Sequence, residues 1–325
     1  MKNNNRFGAR LWLLLILMVT IPPIITSAEP KIFAWVSDGV EGLQLQELGK
    51  DVLFFQLATK SLDGQYARSN YVHPLYDLEG DIVTEDFPED HPHQRGIFWA
   101  WHRVLLNGIS VADPWSCRDI EWKEPEEIGE WVKTQADAKS ANMQVVRDWV
   151  VPNPNNKDES LRVVRETVSL VVWQSEDNIR TIDFDLKFRA LVEGVTIAGS
   201  DDVKGYGGFS PRIRLSEDVK FFGQTGEVTP QNTAVDGGNW MNVIRTLDSK
   251  KKGVAIMVHP SHPGSELKWI LRSKRSMQNP QWPGQQPTSL STKIDTQLRY
   301  RLVLNSGELN QQQLEQLWDQ FTQTH

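Results

Sequence analysis

Apolar and polar residues alternate with a period of two over long stretches of this chain. The clearest stretch is 182–190, where every second residue is apolar and the residues between them are charged. Stretch 298–304 repeats the pattern, with Arg299 and Arg301 between apolar neighbours. Because successive side chains of a strand point to opposite faces of its sheet, both stretches are predicted to be strands with one buried and one polar face.

Further segments rich in β-branched or aromatic residues predict more strands: 52–57, 97–106, 143–151, 161–173, 254–259 and 267–271. Clusters of Gly, Asn, Asp and Pro separate them, as turns require. Many short strands without intervening helical patterns favour an antiparallel β-sandwich or barrel over a parallel α/β fold. We therefore predict an all-β antiparallel sandwich, with residues 29–325 forming a single domain.

One helix is predicted, at about residues 310–322. Asn310 is a suitable N-cap, and Gln313 stands three residues later, as in a capping box. An apolar stripe with helical spacing follows, made of Leu314, Leu317, Trp318 and Phe321. The stripe predicts that this C-terminal helix packs on a sheet.

The first 28 residues resemble a secretory signal peptide. Basic residues precede the apolar stretch 11–19, and small residues end at Ala28. We predict cleavage near Ala28 and a periplasmic or secreted protein. No later stretch has the roughly 18 to 20 apolar residues of a membrane span, so none is expected after processing.

Composition and charge exclude several classes of protein. With 35 Lys and Arg against 42 Asp and Glu, the net charge is −7, which does not favour binding to nucleic acid. A single cysteine, Cys117, excludes an internal disulfide. Thirteen Trp stand against five Tyr. Although most Trp residues are expected in the core, their number makes a sugar ligand plausible because indole faces pack on the C–H surfaces of sugar rings.

The densest group of candidate catalytic residues lies at 90–96. If the segment is extended, His91, His93 and Arg95 share one face, since they are two residues apart. Two imidazoles and a guanidinium suit an oxygen-rich ligand. A divalent metal at His91 and His93 is the alternative, although only two ligands are apparent there. The other alternative is a polar turn that is rich in His by chance, which is less favoured because Trp99 and Trp101 follow directly on the next predicted strand.

Other residues are candidates for binding the same ligand. They are His73, His102, Arg212, His259, Trp99 and Trp101. Arg212 follows the glycine-rich segment 205–208, and His259 ends a predicted strand before a proline. Each segment is equally consistent with an ordinary turn.

Four motifs make the chain resemble the DUF6807 family: HPLY at 73–76, DHPHQRGIFWA at 90–100, GNW at 238–240 and GVAIMVHPS at 253–261. Gln94 and Val258 stand where members commonly carry His and Asp. The resemblance implies an exported β-sandwich from polysaccharide-degrading bacteria, similar to the galactose-mutarotase-like supersandwich. The family is often labelled methane oxygenase PmoA, but this chain lacks the spans of a membrane methane monooxygenase subunit.

Together these features predict an exported carbohydrate-active protein that uses no cofactor. His91 or His93 would exchange a proton with a small sugar or an oligosaccharide, which favours an enzyme of unknown reaction type. Two alternatives remain: a non-catalytic carbohydrate-binding module and a metal-dependent oxidoreductase. The substrate and the oligomeric state do not follow from the sequence.

Overall fold

The computed structural model confirms an all-β architecture and describes residues 32–37, 40–264 and 266–323. All strand pairs of its sheets are antiparallel, and two large sheets dominate. The first is six-stranded, in the order β1 (Phe33–Ser37), β2 (Gly42–Glu47), β3 (Lys50–Gln56), β6 (Tyr71–Leu75), β7 (Ile97–Ala100) and β16 (Gly208–Pro211).

The second large sheet has ten strands. Along its path lie β10 (Glu121–Lys123), β12 (Ser140–Asn153), β13 (Asn156–Trp173), β14 (Ile179–Ala190), β24 (Thr296–Ser306), β20 (Lys250–Val258), β19 (Trp240–Leu247), β17 (Lys220–Gly223) and β18 (Gly226–Glu227), while β11 (Val132–Ala136) also pairs with β12.

Smaller elements complete the fold. They are the four-stranded sheet of β23 (Thr288–Ser289), β15 (Val195–Ala198), β8 (Arg103–Leu106) and β9 (Ile109–Ala112), the pairs β4 (Lys60–Leu62) with β5 (Gln65–Arg68) and β21 (Lys268–Ile270) with β22 (Asn279–Gln281), and helix α1 (Gln311–Thr322).

The main core lies between the two large sheets. In β14 the alternate residues of the predicted stretch 182–190 are all buried, and those of β24 are buried as well. Aromatic side chains join the sheets: the ring of Phe209 lies 5.0 Å from that of Phe184 and 4.4 Å from that of Tyr300. The prediction of a β-sandwich is confirmed, since the period-two pattern follows from burial of one face of each strand.

Helix α1 begins after Asn310, whose side chain accepts from the Gln313 backbone N–H while the Gln313 side chain accepts from the Asn310 backbone, as predicted. The helix packs on the outer face of the ten-stranded sheet, against Trp240, Met257 and Val303. It covers Arg301, whose guanidinium binds Asp183 and the Leu317 carbonyl. Strand periodicity indicates the face on which Arg301 lies but not that a helix buries that face.

The predicted strand 97–106 is two strands in different sheets. It divides at Trp101 and His102, between β7 and β8. The buried Trp101 indole donates to the Trp282 carbonyl at 2.8 Å, which fixes the chain where it leaves the six-stranded sheet. This division places His102 in a connection at the end of the sheet.

The predicted signal peptide, residues 1–28, lies outside the described residues and stays a prediction. Within the described ranges, no helix is both long and apolar enough to cross a membrane.

A carboxyl group is buried in the main core. Glu166 of β13 accepts hydrogen bonds from the Asn70 amide at 2.7 Å, from the Trp149 indole at 2.5 Å and from the Trp99 indole. Burial raises the pKa of Glu166 to about 7, although these three donors oppose the shift. Trp99 is thereby held in the core, joining the six-stranded sheet to the ten-stranded sheet.

The ionisation of Glu166 makes the stability of the fold depend on pH. The unfolded carboxyl titrates near 4.5 and the folded one near 7. Unfolding therefore releases a proton between these values, so the free energy of unfolding falls as pH rises from 4.5 to 7. Relative to Glu166→Gln, the free energy of unfolding of the wild-type protein should fall by up to about 1.4 kcal/mol per pH unit in this window. Urea denaturation of both proteins across pH 4.5–7.5 measures this loss, and parallel profiles would contradict it.

Candidate functional site

The candidate site lies on the outer face of the six-stranded sheet. Strand β7 directs Ile97 and Trp99 into the main core, and its other face, with Phe98 and Ala100, packs in a second apolar cluster. Trp115 belongs to that second cluster and is 2% exposed, with its ring 5.3 Å from the Phe98 ring. Both faces of β7 are thus covered, and Trp115 forms the base of the site.

Trp115 and four further rings form one connected group, which we call the histidine cluster: His91, His93, His102, Trp115 and Tyr206. His93 lies 5.7 Å from His91 and 6.5 Å from Trp115, measured between ring centroids. His102 stacks on Trp115 at 5.3 Å, and Tyr206 lies 5.0 Å from both of these rings. The structure therefore brings together three predicted residues, His91, His93 and His102.

The segment that carries His91 and His93 is a turn and not the extended segment on which the shared-face argument depended. The His91 N–H donates to the Pro88 carbonyl at 3.1 Å, and the Gln94 N–H donates to the His91 carbonyl at 2.9 Å. The turn brings the two imidazoles together but does not direct Arg95 beside them.

Arg95 is fully buried away from the cluster. Its guanidinium binds both carboxylate oxygens of Asp86, the Tyr71 hydroxyl and the carbonyls of Lys60 and Tyr66. With its donors used in this way, Arg95 has a structural role in this arrangement, in contrast to the catalytic role predicted for it.

His93 is a half-buried imidazole that stays neutral. Burial is the largest cause that lowers its pKa, to about 4, and the charges of His91, Arg68 and His102 act in the same direction. The guanidinium that contributes to this shift is that of Arg68. Within the described ranges, His93 makes no hydrogen bond, and neither ring nitrogen is enclosed. Its ring can therefore accept a hydrogen bond from a ligand.

His102 is oriented by a carboxylate. Its Nδ1 donates to Asp113 at 3.3 Å, and this contact leaves Nε2 as an acceptor. Burial alone would raise the pKa of Asp113. Hydrogen bonds from His102, Ser116 and Arg118 nevertheless hold this pKa well below its usual range. The Nε2 atom of His102 is buried without a partner among the described residues.

Arg68 fixes the base of the site from below. One of its Nη atoms donates to the Pro114 carbonyl at 2.5 Å and to the Trp115 carbonyl at 3.3 Å. Its guanidinium carbon lies 5.0 Å from the Phe98 ring centroid and 5.2 Å from that of Trp122. This buried cation therefore holds the backbone of the Trp115 turn, and its charge adds to the burial that lowers the pKa of His93.

Arg212 acts on His91 through Asp90. Its guanidinium donates to Asp90 at 2.8 Å, to Glu85 at 2.6 Å and to the Gln94 amide oxygen at 2.8 Å. Asp90 in turn accepts from His91 Nδ1 at 2.6 Å. Because Arg212 is only 1% exposed, it positions the His91 turn. It is not open to a ligand, in contrast to the binding role predicted for it.

The remaining predicted binding residues lie elsewhere. His73 contacts the Thr84 hydroxyl at 2.9 Å, and burial lowers the pKa of His73 to about 4. Trp99 and Trp101 are 3% and 0% exposed in the main core, so their faces are not available to a sugar. Trp99 is buried because it lies on the inward face of β7, and Trp101 packs in the same core just after that strand.

His259 lies in a separate cleft of about 670 Å³, which His262 and Trp282 also line. The Nδ1 of His259 contacts the Ser261 hydroxyl at 2.7 Å, and His262 Nε2 is hydrogen-bonded to the Tyr300 hydroxyl at 2.7 Å. Among the residues that the structure describes, no contact of His259 joins it to the histidine cluster.

Sequence reasoning missed Tyr66, Arg68, Asp113 and Trp115. Asp113 and Trp115 belong to a tight turn in which the Ser116 N–H donates to Asp113 at 3.0 Å, a local Asx pattern readable in the sequence. The approach of Asp113 and Trp115 to His93 depends on contacts between residues far apart in the chain, and it cannot be predicted from the sequence. Among the described residues, no group of three or more His, Cys, Asp or Glu side chains is placed to hold a metal ion.

The structural role of Arg95 predicts a loss of stability on truncation. Arg95→Met leaves Asp86 buried without its main partner and should cost about 3 to 5 kcal/mol. This corresponds to a melting temperature about 6 to 20 °C lower. The matched control is Arg189→Met, which breaks the more exposed ion pair with Asp295 and should cost less than about 1 kcal/mol. Equal melting temperatures for the two variants in thermal denaturation would show that Arg95 is not structural.

Comparisons with known proteins give few relatives. No curated protein matches this chain. The crystal structure of the heparan sulfate lyase HepC mutant from Pedobacter heparinus is similar to 86% of this chain, with 8% sequence identity and a TM-score of 0.41. This chain spans 37% of that lyase chain, and so low a likeness carries no inference about chemistry.

One protein family matches most of this chain. The model of a family of unknown function, DUF6807, matches residues 42–319, which include the histidine cluster and, except for β1, both large sheets. This match covers most of the chain, so the protein belongs to the DUF6807 family.

Proposed function

We propose that the histidine cluster binds a sugar and transfers a proton to or from one of its hydroxyl groups. The observation that carries the proposal is His93, a neutral, half-buried imidazole with no hydrogen-bond partner among the described residues. Its ring centroid lies 6.4 Å from that of the half-buried Tyr66 and 6.5 Å from that of the buried Trp115. An acceptor beside a half-buried aromatic ring is suited to a sugar hydroxyl beside C–H groups.

The polar groups that face the cluster are mostly uncharged. Burial raises the pKa of Tyr206, which keeps its phenol protonated as a hydrogen-bond donor. The charges of Arg68, Arg212 and Asp113 are directed to protein partners. Neutral donors and acceptors favour a polyhydroxylated ligand over a phosphate or a nucleotide, which would need free cations.

In this proposal each imidazole has a separate task. His93 accepts the proton of the sugar hydroxyl and returns it to the sugar at the end of the reaction. His91, held through Nδ1 by Asp90 and with its side chain 44% exposed, pairs with another hydroxyl group of the sugar. His102 is oriented by Asp113, and its Nε2 is buried without a partner among the described residues. This atom accepts a hydrogen bond from a second hydroxyl of the sugar when the surrounding rings move to let that hydroxyl reach it. Arg68 and Arg212 are positioning residues because they act through Trp115 and Asp90.

A second function, binding without turnover, is favoured by one observation. A base that titrates near 4 is weak at neutral pH, where a general base works best with a pKa close to the ambient value. In this alternative His93 is a permanent hydrogen-bond acceptor and the cluster is a carbohydrate-binding site. NMR spectra of each bound sugar, followed over time, distinguish the two: new sugar signals or anomeric exchange show turnover.

The role of His93 is tested by His93→Gln, which keeps approximate size and hydrogen bonding but removes the titrating nitrogen. We expect a melting temperature within about 2 to 4 °C of wild type, because His93 makes no hydrogen bond that stabilises the described fold. Affinity for the sugar, or turnover, should fall at least about tenfold. Calorimetry against neutral mono- and oligosaccharides and uronic acids provides the measurement.

Two outcomes would contradict this proposal. Wild-type protein that binds none of these sugars would exclude a carbohydrate ligand at the cluster. A His93→Gln protein that is strongly destabilised would make the residue structural.

The pH dependence of binding follows from the pKa of His93. The imidazole accepts a hydrogen bond while it is neutral, so affinity should be constant from about pH 6 to 8 and fall as pH decreases through about 4. His91→Gln removes a neighbouring charge that lowers the pKa of His93, so the midpoint should move to higher pH. Measurements of sugar affinity from pH 3.5 to 8, with circular dichroism to confirm folding, test the direction of this change. A midpoint that is unchanged in His91→Gln would contradict it.

A further inference from the structure

A groove of about 840 Å³ runs beside helix α1 on the outer face of the ten-stranded sheet. Ile179 and Thr181 of β14 lie at its base, one side of α1 forms a wall, and the end of β13 forms the facing wall. The histidine cluster lies on the outer face of the six-stranded sheet. Since the two sheets pack through their inner faces, the groove and the cluster are on opposite sides of the sandwich.

The β13 wall carries an exposed indole. Trp173 is 37% exposed, and it is the one tryptophan of the described residues among the exposed large apolar side chains. Its Nε1 donates to Asp183 at 2.9 Å, which fixes the ring orientation. An indole that is held in place but not covered is a preformed platform for an apolar ligand surface.

The helical wall carries a row of amides. Gln313, Gln316 and Gln320 are exposed and, together with Leu317, have the i, i+3, i+4, i+7 spacing of one helix face. The side chains of Gln316 and Gln320 make no hydrogen bonds within the described ranges, and Gln313 uses only its oxygen, in the helix cap. Gln174 adds a fourth amide beside Trp173. These groups offer neutral donors and acceptors opposite the indole.

We propose that this groove is a second binding site, which takes a chain of neutral sugars. The Trp173 face packs against the C–H surface of a sugar ring, and the amides of α1 pair with hydroxyl groups along the chain. The charged residues of the groove are Lys139, Glu176, Asp177 and Glu308, with an excess of negative charge, so the groove disfavours polyanionic glycans. The site holds a polymer and performs no chemistry, and it does not depend on the function proposed for the histidine cluster.

Affinity electrophoresis in native gels tests the groove with three neutral polymers, a soluble β-glucan, a xylan and a mannan, and with polygalacturonate as the anionic comparison. Wild-type protein should be retarded by at least one neutral polymer and not by polygalacturonate. Trp173→Ala should weaken that retardation at least about tenfold. The matched control, Trp35→Ala, truncates a half-buried tryptophan outside the groove and should be retarded like wild type.

His93→Gln separates this site from the histidine cluster. The variant should retain the polymer retardation, because its groove is intact. Absence of retardation of wild-type protein by all three neutral polymers would overturn the proposal, as would equal retardation of Trp173→Ala and wild type. Neither result bears on calorimetry of sugars at the cluster, so failure of one site is distinguishable from failure of the other.

Discussion

Burial of both faces of strand β7 is the constraint on which the core and the candidate site depend. Trp99 on the inner face donates to Glu166 of the opposite sheet and joins the two halves of the sandwich. Phe98 on the outer face packs against Trp115, on which the histidine cluster is assembled. Because a one-residue shift would exchange the two faces, a single register sets the core and the site together.

Placement of charge determines what the cluster can bind. The cations near it, Arg68 and Arg212, are buried and hold backbone carbonyls or carboxylates. The groups left for a ligand are imidazole nitrogens and phenols, and burial keeps His93 and Tyr206 uncharged. Although the site is built on strong ion pairs, few unpaired charges face it, and the proposal of a polyhydroxylated ligand rests on this property.

Much of the fold could be predicted from the sequence because it follows from local rules. The period-two pattern of 182–190 and the capping box at Asn310 each depend on residues close together in the chain. The candidate site was only partly predictable. Residue type identifies His91, His93 and His102 as candidates. Residue type also assigns Arg95 and Trp99 to a ligand, because the sequence does not show that Asp86 and Glu166 hold these two side chains in buried positions. Trp115 was missed because its approach to His93 is a long-range contact.

The proposed site requires His93 to be a neutral acceptor, open to a ligand, at physiological pH. Long-range ¹H–¹⁵N NMR spectra of the histidine rings, recorded from pH 3.5 to 8, measure this property directly. We expect that His93 titrates near 4 and that the NMR signals of its ring nitrogens shift at pH 7 when a sugar binds. A His93 ring that titrates at 6.5 or above, or whose nitrogens do not respond to a sugar bound by the protein, would contradict it.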